Sequence, residues 1–73
     1  MVFDELLTEL GCKIKYFRNR KKITQAQLSE IVGVEEYYIS DIETGKRNIT
    51  LKTLYNIASA LDVKPVKLFS FDD

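Results

Sequence analysis

Side chains able to donate, accept and neutralise charge crowd the stretch VEEYYISDIETGKRN, Val34 to Asn48. Ile39 and Ile42 are spaced to point into a core, which turns Glu36, Tyr37, Ser40 and Asp41 outward. Those side chains suit the edges of nucleic-acid bases. A Glu accepts from cytosine N4, and a Tyr donates a hydrogen bond or lies against a thymine methyl. Beyond Gly45, Lys46, Arg47 and Asn48 bring cations and an amide, good partners for phosphate. Gln25 stands at another helix start, where free N–H groups and the helix dipole favour an anion. Its other reading is support of that helix start together with Thr24. Glu35, Glu36 and Asp41 would oppose any polyanion. An acid at a helix N-terminus also stabilises the helix by about 0.3–1 kcal/mol. That accounts for Glu35; Glu36 stays open between compensating the dipole and reading a base.

Other chemistries find little to work with. The 73-residue chain has no histidine and one cysteine, Cys12, so zinc spacing, His-based catalysis and an internal disulfide are excluded. Cys12 reads as a small, half-buried residue rather than a reactive thiol. There is no nucleophile–base pair and no phosphate-cradling loop, so neither an enzyme nor a cofactor is expected. No segment reads as a ligand-sensing domain, so no small-molecule ligand is expected either. No apolar run approaches the roughly 20 residues a membrane span needs. The start, MVFDELLTELG, lacks a basic region and carries acids, so it does not read as a signal peptide. A cytoplasmic protein without membrane contact is expected.

Formal net charge is zero, with 11 basic and 11 acidic residues, so no global pull toward nucleic acid exists. The distribution is uneven. Lys13, Lys15, Arg18, Arg20, Lys21 and Lys22 fall in one stretch, while acids gather at Asp4, Glu5 and Glu9, at Asp72 and Asp73, and around Glu35 to Asp41.

Helices must position these groups. Leu6, Leu10, Ile14 and Phe17 mark one buried face of a first helix from about Asp4 to Lys21, with an interruption expected near Gly11. Thr24 opens TQAQ, a capping-box pattern, and predicts a second helix over about Gln25 to Val32 with Leu28, Ile31 and Val32 inward. Gly33 ends it, where glycine takes a positive φ cheaply. The third helix runs from Glu35 or Glu36 to Glu43 and is closed by Gly45. Thr50 caps a fourth, with Leu51, Leu54, Ile57, Ala58 and Leu61 as its apolar stripe. Pro65 fits the first position of a last short helix that offers Val66, Leu68 and Phe69, with Phe71 just beyond. The expectation is an all-α bundle of five helices in a single domain over 1–73.

A short helix, a glycine turn and a second short helix make a helix-turn-helix unit, here about residues 24–44. ITQAQLSEIVGVEEYYISDIETGK strongly resembles the Cro and phage-repressor-like (XRE) family. LGCKIKYFRNRKKIT upstream and RNITLKTLYNIASALDVKPVKLF downstream extend the resemblance over about Leu10 to Phe69. Tyr38 to Glu43 and Gly45 to Asn48 are especially similar to the controller proteins of restriction–modification systems, although Glu35, Glu36 and Tyr37 depart from their pattern.

The resemblance implies a repressor-like five-helix domain that binds double-stranded DNA. It implies phosphate contacts from Gln25, Lys46, Arg47 and Asn48, and base reading by Glu36, Tyr37, Ser40 and Asp41. It also implies a structural ion pair between Arg18 and Glu43, and a Tyr38 ring that packs on the domain, either with its hydroxyl directed to a phosphate or, the preferred reading, by packing alone. Related regulators dimerise through their last helix, which assigns Val66, Leu68, Phe69 and Phe71, within about 62–73, to a homodimer interface. Closure of the monomer core is the competing role for those residues. A dimeric, sequence-specific transcriptional regulator is therefore expected. The alternative is the same fold used as a protein-interaction module, antitoxin-like or an anti-repressor partner, which the acidic third helix and zero net charge favour.

Overall fold

Four α-helices and one 3-10 helix follow one another in the computed structural model, which describes residues 1–70. They are α1 (Phe3–Arg20), α2 (Gln25–Val32), α3 (Glu36–Glu43) and α4 (Leu51–Leu61), followed by the 3-10 helix Pro65–Phe69. No strand occurs among the described residues. The expected all-α, repressor-like architecture is therefore found, with the fifth helix wound as a tighter 3-10 turn.

Local chemistry sets most of the boundaries. The Thr24 hydroxyl accepts from the Gln27 N–H at 3.0 Å, and the Gln27 side chain accepts from the Thr24 N–H at 2.7 Å, so both halves of the capping box are made. Thr50 caps α4 by accepting from the Thr53 N–H at 3.1 Å. Gly33 at φ 87° stops α2, and Gly45 at φ 76° turns the chain just past α3. Asp62, at φ 59°, ends α4 without a glycine. Lys22 occupies the same left-handed region in the turn between α1 and α2.

Leu10, Ile14, Leu28, Ile39, Ile42, Leu54, Ile57 and Leu61 form the shared core of the four helices. Burying one such side chain contributes about 1.5–3 kcal/mol, and this pooled apolar surface holds helices too short to persist alone. Among the described residues no helix is long and apolar enough to cross a membrane.

Four expectations need correction. Gly11 does not interrupt α1, which is continuous through it. It is buried where α1 crosses α3: a Cβ there would strike the Ile42 carbonyl oxygen and come within 2.7 Å of the Glu43 carbonyl oxygen. Glycine serves close approach of two backbones rather than a break. Ile31 and Leu51 lie outside the core, at 59% and 78% exposure: Ile31 lines an open groove with Tyr55, Asn56, Ser59 and Ala60 of α4, and Leu51 is the first residue of its helix. Cys12 is exposed rather than half-buried. Leu68 is fully buried: the 3-10 helix packs on α1 and α4 and inserts this one side chain into the core. It is therefore unavailable as a dimer contact of the folded chain, and for Leu68 the core-closing role holds.

Candidate nucleic-acid interface

The helix-turn-helix unit is α2, the Gly33 turn and α3. Ile39, Ile42 and Glu43 are buried and lock one side of α3 to the domain. Its 3.6-residue period then carries Glu36, Tyr37, Ser40, Asp41 and Thr44 to the other side or its flanks. Glu36 and Tyr37 are exposed, Tyr37 at 64%, and Ser40 and Asp41 are half-buried. Glu35 is the residue preceding the helix and Glu36 lies in its first turn, where both acids complement the dipole.

Asp41 does not present a bare carboxylate. Its Oδ2 accepts from Arg47 Nη2 at 3.2 Å. The Arg47 guanidinium also lies 4.8 Å from the centroid of the Tyr38 ring. Lys46 and Asn48 on either side of it are exposed. The expected row of phosphate-seeking loop residues is thus divided: Lys46 and Asn48 stand in solvent, whereas Arg47 is folded back onto α3.

On the inner side, Arg18 Nε donates to Glu43 Oε2 at 2.6 Å and Nη2 donates to Glu43 Oε1 at 3.0 Å. Arg18 Nη1 donates to the Ile23 carbonyl at 2.9 Å, which ties the α1–α2 turn into the same arrangement. The hydrogen bonds from Arg18 to Glu43, with the carboxylate's charge, hold the guanidinium above its already high ordinary pKa against the cost of burial. Gln25, the first residue of α2, adds a hydrogen bond from Nε2 to Glu43 Oε1 at 3.0 Å. That contact was not foreseen. Gln25 and Glu43 are far apart in sequence, and only the packing of α2 on α3 brings them together.

At the far end of the chain, Val66 is 65% and Phe69 42% exposed, beside the buried Leu68. Phe71, also expected at a dimer interface, lies outside the described residues. Sequence reasoning placed Tyr38 on the domain but missed its use as a floor for Arg47. The signal was present, since Tyr38 and Asp41 are one helical turn apart and the Gly45 turn sends the next residues back over them.

Residues 14–68 match the family model described as Helix-turn-helix. The control protein C.SmaI of Serratia marcescens is 37% identical over 70 residues, covering 96% of this chain and 80% of that one. The immunity repressor protein of Bacillus phage phi105 is 38% identical over 55 residues, which is 75% of this chain but 38% of the repressor. The crystal structure of the restriction–modification controller protein C.AhdI from Aeromonas hydrophila superposes with a TM-score of 0.84 at 32% identity, covering 86% of this chain and 96% of that one. With the family model spanning most of the chain and the helices superposing on a solved controller, the chain belongs to the helix-turn-helix family of DNA-binding transcriptional regulators, of the Cro and phage-repressor (XRE) type.

Proposed function

We propose that the chain acts as a homodimer on a palindromic operator, with α3 of each protomer in the major groove and regulation set by the protein's own concentration. The observation that carries this reading is the outer side of α3. It offers Glu36 and Tyr37 to solvent with Ser40 half-buried beside them, while the opposite side is pinned by Ile39, Ile42 and the Arg18–Glu43 pair. The major groove admits an α-helix, and polar and aromatic side chains on its outer side can meet base edges there.

The phosphate-directed groups flank that helix. Lys46 and Asn48 follow it, and Gln25 begins α2 with its amide oriented by Glu43. One N–H of the Gln25 amide is used in that bond, and the second is left for a phosphate oxygen. Val66 and Phe69, with Phe71 beyond them, supply the apolar surface for a two-fold contact. Such a dimer would set its two recognition helices about 34 Å apart, one turn of DNA. A dimer that assembles as concentration rises makes operator occupancy steep in protein level, which fits the control and repressor roles named for the relatives.

The test is selection from random duplexes followed by a salt titration on the best site. Enrichment of a palindrome, with log affinity falling linearly against log salt, is expected, and the slope counts phosphate contacts at about 0.9 each. No enrichment by folded dimer at low salt would overturn the reading and direct the acidic α3 toward a protein partner.

A further inference from the structure

The contact between Asp41 and Arg47 joins two residues that a plain reading would separate, one as a base reader and the other as a phosphate clamp. Tyr38 and Asp41 are three apart on α3 and therefore side by side. Arg47 returns past the Gly45 turn and lies against both, with Nη2 3.2 Å from Asp41 Oδ2 and the guanidinium 4.8 Å from the Tyr38 ring centroid. The backbone reinforces this course. Gly45 takes φ 76°, its N–H donates to the Ile42 carbonyl at 3.1 Å, and the Lys46 N–H donates to the Asp41 carbonyl at 2.8 Å. Asp41 thus holds the returning strand of chain through its carbonyl and the arginine through its carboxylate. Even so, the Arg47 and Asp41 side chains remain 40% and 35% exposed, so an incoming acceptor can reach the pair.

We infer that Asp41 is a specificity-determining residue that acts through Arg47, holding its guanidinium on the outer side of α3 so that its use on phosphate requires giving up an ion pair. The inference rests on the DNA-binding reading above. A backbone phosphate, lying to the side of the groove-facing side of α3, gains Arg47 only if the side chain swings away from Asp41, and the net gain is small. On the operator, a guanine presents O6 and N7 as acceptors in the major groove. It takes hydrogen bonds from the other N–H groups of Arg47 while Asp41 keeps its own. Asp41 therefore lowers background binding more than operator binding. Glu35, just before α3, and Glu36, in its first turn, act differently, since they repel phosphate and form no ion pair among the described residues. Exposure of the pair limits the effect to about 1.5- to 5-fold in affinity, the range of a solvent-exposed ion pair.

A double-mutant cycle tests this. Wild type, Asp41→Asn, Arg47→Gln and the double variant are titrated against the selected operator and a scrambled duplex at several salt concentrations. Asp41→Asn is expected to tighten binding to the scrambled duplex about 1.5- to 5-fold, steepen its log–log salt slope by about 0.9, and reduce discrimination. In the Arg47→Gln background the same substitution is expected to do nothing. An equal gain in both backgrounds, or none in either, overturns the inference, because Asp41 would then be only a repulsive charge or irrelevant. Arg47 Nε–H relaxation by NMR reads the contact without DNA: ordered in wild type and mobile in Asp41→Asn is expected, and mobile in both overturns it. Failure of folded wild type to bind any duplex, with Arg47 still ordered, overturns the regulator reading and this inference with it. Binding without the coupling overturns the inference alone.

Discussion

The two arginine–carboxylate pairs on α3 use the same groups for opposite ends. Glu43 meets Arg18 on the inner side, with the side chains 1% and 9% exposed. Asp41 meets Arg47 on the outer side, with 35% and 40% exposed. The two acids are separated by a single residue, which a helical period of 3.6 converts into nearly opposite faces. The inner pair is bonded twice, and it is tied further by Arg18 Nη1 to the Ile23 carbonyl and by Gln25 to Glu43. For the outer pair the described contacts are one hydrogen bond and a ring. Desolvation accounts for the difference in role. Breaking the inner pair strands a charge away from water, whereas breaking the outer pair returns both partners to solvent. One side of the helix is fixed so that the other can exchange its partners.

The largest effect that would test this contrast is removal of an inner partner. Arg18→Ala or Glu43→Ala is expected to lose about 3–5 kcal/mol in urea denaturation, because it leaves the other charge buried alone. Against a total stability of about 5–15 kcal/mol, and less for so small a domain, much of either variant would be unfolded. Replacing both partners, as in Arg18→Met with Glu43→Leu, is expected to recover most of the loss. A loss below about 1 kcal/mol for either single variant would place the inner pair in the same class as the outer one.

Next in size is Gly11→Ala, expected to cost about 1–3 kcal/mol by thermal or urea unfolding. Gly11 and Arg18 are seven residues apart on α1 and so face α3 together. A methyl at Gly11 meets the backbone of Ile42 and Glu43, which has no flexible end to move aside. It would push α1 from α3 and loosen the Arg18–Glu43 contact. The costs of Gly11→Ala and Arg18→Ala should therefore be less than additive. Strict additivity would separate the helix crossing from the ion pair.

How much of this was readable in advance depended on the range of the interaction. The helix starts at Thr24 and Thr50 and the stops at Gly33 and Gly45 are local, and residue type alone carried them. The family pattern, not spacing, suggested that Arg18 and Glu43 would meet. What failed was anything set by the angle between packed helices. Ile31 and Leu51 have the right residue type and spacing, but Ile31 lies at an open groove between α2 and α4 and Leu51 at the first position of α4, so neither is enclosed. Gly11 read as a breaker because the passing backbone of α3 is invisible from α1 alone. Leu68 joined the exposed surface in expectation because the 3-10 winding, which turns one residue inward and leaves Val66 and Phe69 outward, could not be told from an α-helical turn. At the candidate interface, Asp41 and Arg47 were each assigned by residue type, and their contact with one another escaped because it depends on the course of the chain after Gly45.

Asp41→Asn supplies the small end of the stability scale. It removes an exposed pair and is expected to change unfolding free energy by less than about 1 kcal/mol, even as it alters DNA discrimination. Stability and recognition would then be separated on one helix, with Glu43 governing the first and Asp41 the second. A loss of several kcal/mol for Asp41→Asn would remove that division.

The smallest expected effect is an alkaline one, and its sign follows from Arg18. Its folded pKa is raised above the unfolded value, chiefly by the hydrogen bonds to Glu43. A base raised in this way contributes stability that is fully present below the unfolded value, which for arginine already lies far above neutral pH. The contribution is lost only as pH climbs through the still higher folded value. The stability gap between wild type and the Arg18→Met, Glu43→Leu double variant should therefore stay constant from about pH 7 to 10. Urea titrations of the two proteins across that range measure the gap directly, and the subtraction cancels groups common to both. A gap that narrows on the alkaline side would mean that Arg18 loses its proton within the range. The inner pair could not then be the fixed half of the comparison.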